Sequence, residues 1–295
     1  MKQKFKSMSG ITLIEMLIAV VISSVMMAAL FTSYNVVNNS YSQVSDRATI
    51  SRTGRDVVGM LLRDVRMAGY FDIKSIQYAN DEMYPIVISK SKNFKGSSRK
   101  CDKIDIVYGD VVFEKNRKNK KGVLEEVYYP VYKITYKCVA SRIPDRKKAQ
   151  QASGKFPVKD IFAITKSKVV WDESANTWKN PTGSDKKTYK DELILDHVED
   201  LIFNPIDDKG LIIDPVPTPS QNKSGLYKIR AVDISIILRS PDSFYKSERK
   251  RTLHALANNL RNKVTTDRYL RESIVVTAHN RNIGMIKWKT KKDLL

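Results

Sequence analysis

A long apolar segment near the N-terminus dominates the hydrophobic pattern of the chain. Residues 11–31 contain eleven Leu, Ile, Val and Phe side chains, and Glu15 is the only charged residue among them. A helix of about 20 residues crosses the apolar core of a bilayer, so this segment predicts a membrane-spanning helix. The apolar side chains contribute roughly −3 to −7 kcal/mol of insertion free energy, and one carboxylate near the helix end costs about 3 kcal/mol at most. Insertion is therefore expected despite Glu15.

The helical pattern continues beyond the apolar segment. No Gly or Pro occurs in residues 11–53, so nothing in the sequence interrupts the helix there. The next apolar positions recur at i, i+3, i+4 and i+7, the spacing of one helical face, and they are Val58, Leu61, Leu62 and Val65. Gly69 follows this face and predicts the end of the helix. Residues 32–69 are therefore predicted to form an amphipathic second half of the same helix.

Beyond Gly69 the apolar period changes from 3.6 residues to two, which indicates strands. Strands are predicted at residues 103–108, 132–138, 159–165, 168–171, 197–204, 229–238 and 273–279. Polar, basic or proline-rich runs predict loops at residues 114–122, 145–155, 180–190 and 204–225, and residues 247–261 predict a short basic helix. The predicted fold is α+β: one long N-terminal helix, transmembrane and then amphipathic, packed on a mainly antiparallel β-sheet head formed by residues 70–295.

Composition adds a strong positive charge to this picture. The 295 residues carry 52 Lys and Arg against 32 Asp and Glu, a formal net charge of +20. Such an excess favours contact with nucleic acid, phospholipid head groups or an acidic protein. A lysine-rich surface that is only solvated is the alternative.

The residues before the apolar segment set its orientation. Residues 1–10 contain Lys2, Lys4 and Lys6 and no acid. Under the positive-inside rule these lysines stay in the cytoplasm, so the rest of the chain is expected outside it. A cleaved secretory signal fits poorly, because a carboxylate interrupts the apolar core and no A-x-A site ends it. In a simple membrane anchor Glu15 would have no role, whereas an acidic residue inside a membrane indicates a function.

A third interpretation accounts for both the basic leader and Glu15. The segment 10–15, GITLIE, resembles the type IV prepilin motif, in which a short basic leader ends in Gly and Glu occupies the fifth mature position. The resemblance implies that residues 1–10 are a leader peptide, cut after Gly10 by a prepilin peptidase that also methylates the new N-terminus at Ile11. It further implies that Glu15 pairs with the Ile11 amine of a neighbouring subunit during assembly.

A second resemblance narrows the family. Residues 46–70 are similar to the helix exit of PilW-like minor pilins, whose R-D-x-R-x-A-G-Y ending is matched by Arg63, Asp64, Arg66, Ala68, Gly69 and Tyr70. Residues 275–282, VVTAHNRN, resemble the end of the head in that family. The J-type minor pseudopilins of type II secretion share this layout and are the alternative.

The PilW-like resemblance implies a subunit that primes assembly of a type IV pilus and caps it. It implies contacts with other minor pilins, the major pilin and the inner-membrane assembly platform. The chain would pass once through the bacterial inner membrane with its head in the periplasm, and later reach the pilus or cell surface.

Two cysteines, Cys101 and Cys138, lie beside predicted strands. In an oxidising periplasm they can pair and close a loop of about 37 residues, a stabilisation on the order of 3–4 kcal/mol. Two buried thiols are the alternative. A catalytic cysteine would need a neighbouring histidine, which the spacing does not indicate.

No motif for catalysis or cofactor binding is evident. The sequence has no Gly-rich phosphate loop, no H-E-x-x-H helix and no G-x-S-x-G turn. Asp102, Asp105 and Asp110 lack the spacing of a calcium loop and are interpreted as solvated acids. We therefore predict a protein without enzymatic activity, cofactor or metal.

Basic clusters leave nucleic acid as a further candidate partner. The densest run contains Lys115, Arg117, Lys118, Lys120 and Lys121, and other clusters occur at residues 147–148, 246–251 and 287–292. Basic loops with nearby Tyr128 and Tyr129 could hold DNA through phosphate contacts and stacking, in a salt-sensitive manner. Solvated loops and core tyrosines are the alternative.

Overall fold

A computed structural model describes most of the predicted elements. It covers residues 11–70, 83–91, 101–118, 124–128, 130–141, 161–172, 174–181, 187–241, 243–245, 247–254, 256 and 262–283, with the backbone alone at 113–118, 124–128 and 263. The chain divides into two compact units, Met1–Thr49 and Ile50–Leu295.

The first unit is helical from Leu13 onward. Helix α1 spans Leu13–Met67, and the part before Ile50 belongs to this unit. The helix is long and apolar enough to cross a membrane by length and composition, and its most apolar 18-residue window has a mean hydropathy of 2.4 and no buried residue. Ser24 donates its hydroxyl to the Val20 carbonyl at 2.7 Å, and Thr32 donates to Ala28 at 2.9 Å. These bonds satisfy polar side chains that would lack water inside a bilayer.

The second unit begins with the C-terminal part of α1. One face of this part is buried, and it contains Ile50, Gly54, Val57, Val58, Leu61, Asp64 and Val65. At Gly54 a Cβ atom would lie 2.5 Å from Ile274 and 2.7 Å from Leu238. Glycine therefore lets the helix backbone approach these side chains closely.

Gly69 ends the helix as predicted. Its φ of +73° lies in the left-handed region, where a residue with a Cβ atom is strained. The Gly69 N–H donates to the Val107 carbonyl at 2.9 Å, and the Gly109 N–H donates to the Tyr70 carbonyl at 2.8 Å. The helix exit is thus hydrogen-bonded directly to the β-structure that follows.

The rest of the second unit is β-structure. The strands are β1 (Ile86–Ser89), β2 (Lys103–Gly109), β3 (Val112–Lys118), β4 (Leu124–Tyr128), β5 (Val131–Ala140), β6 (Phe162–Asp172), β7 (Thr177–Lys179), β8 (Tyr189–Ile206), β9 (Ala231–Arg239), β10 (Arg249–Leu253), β11 (Lys263–Asp267) and β12 (Arg271–His279), and a short helix α2 spans Lys223–Leu226.

Eight strands form one antiparallel sheet, and four form two ribbons. The sheet has the order β1-β2-β5-β6-β8-β9-β12, with β7 paired to β6, and the ribbons are β3–β4 and β10–β11. The main core joins the buried part of α1 to apolar side chains of the sheet, among them Ile104, Tyr136, Ile164, Phe203 and Ile236. The structure confirms the predicted α+β class.

Several local predictions were wrong, among them the loop at residues 204–225, where β8 continues to Ile206 and α2 begins at Lys223. Residues 247–261 were predicted to be helical, but β10 lies there and pairs with β11. Residues 114–122 were predicted to be a loop, but β3 continues to Lys118 and pairs with β4. A two-stranded ribbon need not bury one face in the core, so charged side chains can occupy both faces of its strands. The sequence of such a strand then lacks the alternation of apolar and polar residues that predicts β-structure. Residues 159–165 and 168–171 were predicted as two strands, whereas the described residues from Phe162 onward form the single strand β6.

Candidate assembly site

Thr12 and Glu15 form the first turn of α1. One carboxylate oxygen of Glu15 accepts hydrogen bonds from the Thr12 N–H and the Thr12 hydroxyl, both at 2.8 Å. In return, the Glu15 N–H donates to Thr12 Oγ1 at 3.3 Å. Reciprocal bonds between residues three apart are a capping box, which satisfies donors that have no partner at the start of a helix.

The capping role of Glu15 was missed in the sequence, although the spacing T-x-x-E at residues 12–15 carries its signal. The box holds the carboxylate at the first turn, four residues from Ile11, whose side chain is 75 % exposed. Gly10 lies outside the described residues, so the cleavage site stays a prediction. The arrangement can present a fixed carboxylate at one end of an exposed apolar helix.

Small side chains line one face of the same apolar segment. Ala19 and Ser23, and likewise Ser24 and Ala28, are four residues apart, and larger side chains border them at Met16, Val20, Met27 and Phe31. In membranes, small residues at this spacing let two helices approach closely. This face is therefore suited to packing against a second apolar helix.

In the second unit, Asp64 connects α1 to the sheet. Its carboxylate accepts a hydrogen bond from the Tyr136 hydroxyl at 2.6 Å and lies 2.7 Å from the Lys166 ammonium. The Asp64 and Lys166 side chains are only 5 % and 6 % exposed, so little solvent screens this pair. Burial, together with the nearby Asp64 charge, raises the pKa of Tyr136 well above its ordinary value. Tyr136 therefore remains a protonated donor to Asp64.

A second buried pair corrects the interpretation of Asp102 as a solvated acid. Asp102 is fully buried and lies 3.1 Å from the Lys90 ammonium. Lys90 also donates to the Phe203 carbonyl at 2.6 Å and to the Asn204 side chain at 2.7 Å. The carboxylate is stable inside the unit because an ammonium and two backbone N–H groups, those of Ser91 and Phe203, share its charge.

The two cysteines lie close to this pair. Cys101 and Cys138 form a disulfide with Cα atoms 5.9 Å apart. Cys138 belongs to β5, and Cys101 forms a single bridge with Leu201 of β8. The disulfide therefore joins β5 to a segment that is bridged to β8.

Asparagine side chains after β12 cap the C-terminal end of α1. The Asn280 amide nitrogen donates to the carbonyls of Val65 and Ala68, both at 2.9 Å. Asn282 donates to the Arg66 carbonyl at 2.9 Å. These bonds satisfy carbonyls that have no partner at the end of a helix. Asn282, the last residue of the segment 275–282 noted in the sequence, thus lies against the helix exit.

The predicted nucleic-acid residues cannot be assigned a geometry. The backbones of Lys115, Arg117 and Lys118 lie in β3, whereas their side chains, and Lys120 and Lys121 entirely, lie outside the described part of the chain. Among the residues that the structure describes, no group of three or more His, Cys, Asp and Glu side chains is placed to hold a metal ion.

Comparison with known proteins adds one assignment. The family described as "Prokaryotic N-terminal methylation motif" matches residues 5–31, which contain the basic leader end, the capping box and the apolar segment. No curated protein matches the chain significantly. A solved structure, "Type IV-like pilin TTHA1219 from Thermus thermophilus", is similar at 11% identity with a TM-score of 0.41, over 79% of this chain and 97% of that one. Residues 5–31 therefore carry a prokaryotic N-terminal methylation motif, which implies processing by a prepilin peptidase.

Proposed function

We propose that the chain is a PilW-like minor type IV pilin that primes assembly of a pilus and caps it. The observation that carries this proposal is the methylation motif at residues 5–31 on an exposed apolar helix that is followed by a β-sheet head. The head contains most of the residues of the chain, and the helix provides the surface that packs against neighbouring subunits. Neither part requires catalysis.

Assembly begins, in this proposal, with cleavage after Gly10. The new amine of Ile11 is methylated, and α1 remains in the inner membrane with the head in the periplasm. Glu15 of one subunit then meets the Ile11 amine of its neighbour. Two opposite charges that meet in hydrocarbon cancel most of the cost of holding each charge there alone, so the need for a partner favours docking.

The face of small residues supports the same step. Ala19, Ser23, Ser24 and Ala28 allow a neighbouring apolar helix to approach closely, which gives van der Waals contact where the hydrophobic effect contributes little. The proposed neighbours are other minor pilins and the major pilin, brought together at the inner-membrane assembly platform.

Deletion of the gene tests which filament the chain serves. For a PilW-like pilin, we expect loss of surface pili and of twitching, with secretion of exoproteins unchanged. A J-type pseudopilin of type II secretion shares the helix and the sheet head, and its deletion would instead abolish secretion and leave pili intact. Electron microscopy of cells and assay of culture supernatants distinguish the two outcomes.

Replacement of Gly10 tests the processing step. Gly10→Val should leave the precursor uncut, because a branched side chain occupies the position next to the scissile bond. The precursor migrates more slowly than the mature protein on a denaturing gel, and mass spectrometry shows an intact leader. Ser9→Ala is the matched control and should be cut normally. Mature-sized Gly10→Val protein would refute the proposed cleavage.

A further inference from the structure

A basic and aromatic surface lies on the β10–β11 ribbon, and its residues have no part in the proposed function. The guanidinium carbon of Arg249 lies 4.4 Å from the centroid of the Tyr245 ring, and that of Arg251 lies 4.5 Å from it. Arg249 and Lys250 are exposed, and Arg251 and Tyr245 are partly exposed. Two guanidinium groups therefore share one aromatic ring at the surface.

The backbone holds the Tyr245 ring in place. The N–H groups of Phe244 and Tyr245 both donate to the Arg268 carbonyl at 2.8 Å. The Phe244 and Tyr245 rings meet edge to face with centroids 4.9 Å apart. Stacking on a fixed ring restricts the long arginine side chains, so less rotamer freedom is lost when they bind a ligand.

The acidic residue of the ribbon, Asp267, already binds another arginine. Asp267 is the cross-strand neighbour of Arg249, but its carboxylate accepts two hydrogen bonds from Arg271, at 2.6 and 2.7 Å. Burial alone would raise the pKa of Asp267, yet these bonds hold it below its ordinary value. Glu248 is an exposed acid beside Arg249. Within the described ranges, the ion pairs do not include Arg249, Lys250 or Arg251.

We propose that the surface formed by Tyr245, Arg249 and Arg251 binds the phosphodiester backbone of nucleic acid. Arg249 and Arg251 lie two residues apart on one strand, about 6.6–6.8 Å, with side chains on the same face. Neighbouring phosphates of one nucleic-acid strand have a similar spacing. A guanidinium group stacked on a ring keeps its N–H edge free for bidentate contact with a phosphate.

The linear arrangement favours a phosphate polymer over a membrane surface. Two arginines in line along one strand can engage successive charges of one chain, whereas lipid head groups diffuse independently and impose no such order. Binding through phosphates does not read the base sequence, so affinity should be similar for unrelated sequences and should fall with salt. The site is independent of the filament that the chain serves.

Fluorescence anisotropy with a labelled DNA duplex tests the proposal. The probe is titrated with the full-length chain in non-ionic detergent at several salt concentrations. Replacing both arginines with glutamine, Arg249→Gln with Arg251→Gln, should weaken binding at least tenfold at low salt. It should also reduce the slope of log affinity against log salt by about 2, because each lost phosphate contact contributes about 0.9.

Matched variants distinguish binding at this site from a general effect of the positive net charge on DNA affinity. Arg52→Gln with Arg55→Gln removes two exposed arginines from α1 and should weaken binding less than threefold. Tyr245→Phe keeps the ring and should bind normally, whereas Tyr245→Leu should bind several-fold more weakly with an unchanged salt slope. Thermal unfolding of each variant checks that the fold is retained.

Three outcomes would overturn the proposal. The first is wild-type chain that binds no duplex at low salt. The second is equal loss of affinity in the β10 and α1 double variants, which would indicate diffuse charge. The third is tight binding to vesicles containing phosphatidylglycerol, abolished by the β10 substitutions, without binding to DNA, which would assign the surface to lipid.

Discussion

Glu15→Gln should leave the protein inserted in the membrane but should reduce its incorporation into filaments by about 10²- to 4 × 10³-fold. Removing one partner of a buried ion pair costs about 3–5 kcal/mol, and each 1.4 kcal/mol corresponds to about a factor of ten in association. Glutamine is chosen because it can still accept the hydrogen bonds of Thr12 that cap the helix. The substitution therefore removes the charge and keeps the first turn. Incorporation is measured by immunoblotting of sheared filaments against the membrane fraction.

Two further variants distinguish the proposed ion-pairing role of Glu15 from its role as a helix cap. Glu15→Ala loses both the charge and the cap, and should incorporate no better than Glu15→Gln. Thr12→Val keeps the carboxylate and removes the hydroxyl of the cap, which costs about 1 kcal/mol of helix stability and less than a tenfold loss of incorporation. If Glu15→Gln is incorporated like the wild type while Glu15→Ala is not, Glu15 is a helix cap and the intersubunit ion pair is rejected.

Asp64→Ala should lower the free energy of unfolding of the second unit by about 3–5 kcal/mol. The substitution leaves the Lys166 ammonium and the Tyr136 hydroxyl without their shared partner inside the unit. For a unit of this size, the loss corresponds to a fall in Tm of about 6–20 °C. Circular dichroism of the full-length chain in non-ionic detergent, on heating or in urea, measures the change.

A matched set of substitutions tests the cause. Lys166→Met alone should also be strongly destabilising, because Asp64 then keeps its charge without the ammonium. The triple variant Asp64→Leu, Lys166→Met and Tyr136→Phe removes all three of these polar groups together, and should be far less destabilised than the sum of the single changes. Arg63→Gln is the control, since the Arg63 side chain is 70 % exposed and lies 3.9 Å from Asp64. Additive effects in the triple variant would contradict a coupled buried network.

The long helix and the sheet could be predicted because their signals are local. An unbroken apolar and then amphipathic period predicts α1, and Gly69 marks its end through a backbone conformation that glycine accepts. Alternation at Ile104 and Ile106 predicts β2, since one face of that strand enters the core. The capping box was equally local, and the spacing from Thr12 to Glu15 was sufficient to find it.

Other features depend on residues far apart in the chain. The burial of Asp102 depends on Lys90 and on the backbone of Phe203, which lies 101 positions later in the chain. The residues next to Asp102 in the sequence therefore do not predict that it is buried. The helix predicted at residues 247–261 failed for a similar reason. There, cross-strand pairing with β11 and stacking on Tyr245 determine a strand whose own composition does not favour one.

The asparagine cap of α1 also constrains the order in which the protein can fold. Asn280 donates to carbonyls 212 and 215 residues earlier in the chain. The end of the helix therefore gains this cap only after almost all of the head has been synthesised. Contacts of such long sequence separation form slowly. A truncation before Asn280 removes these two hydrogen bonds and leaves the C-terminal end of α1 without its asparagine cap.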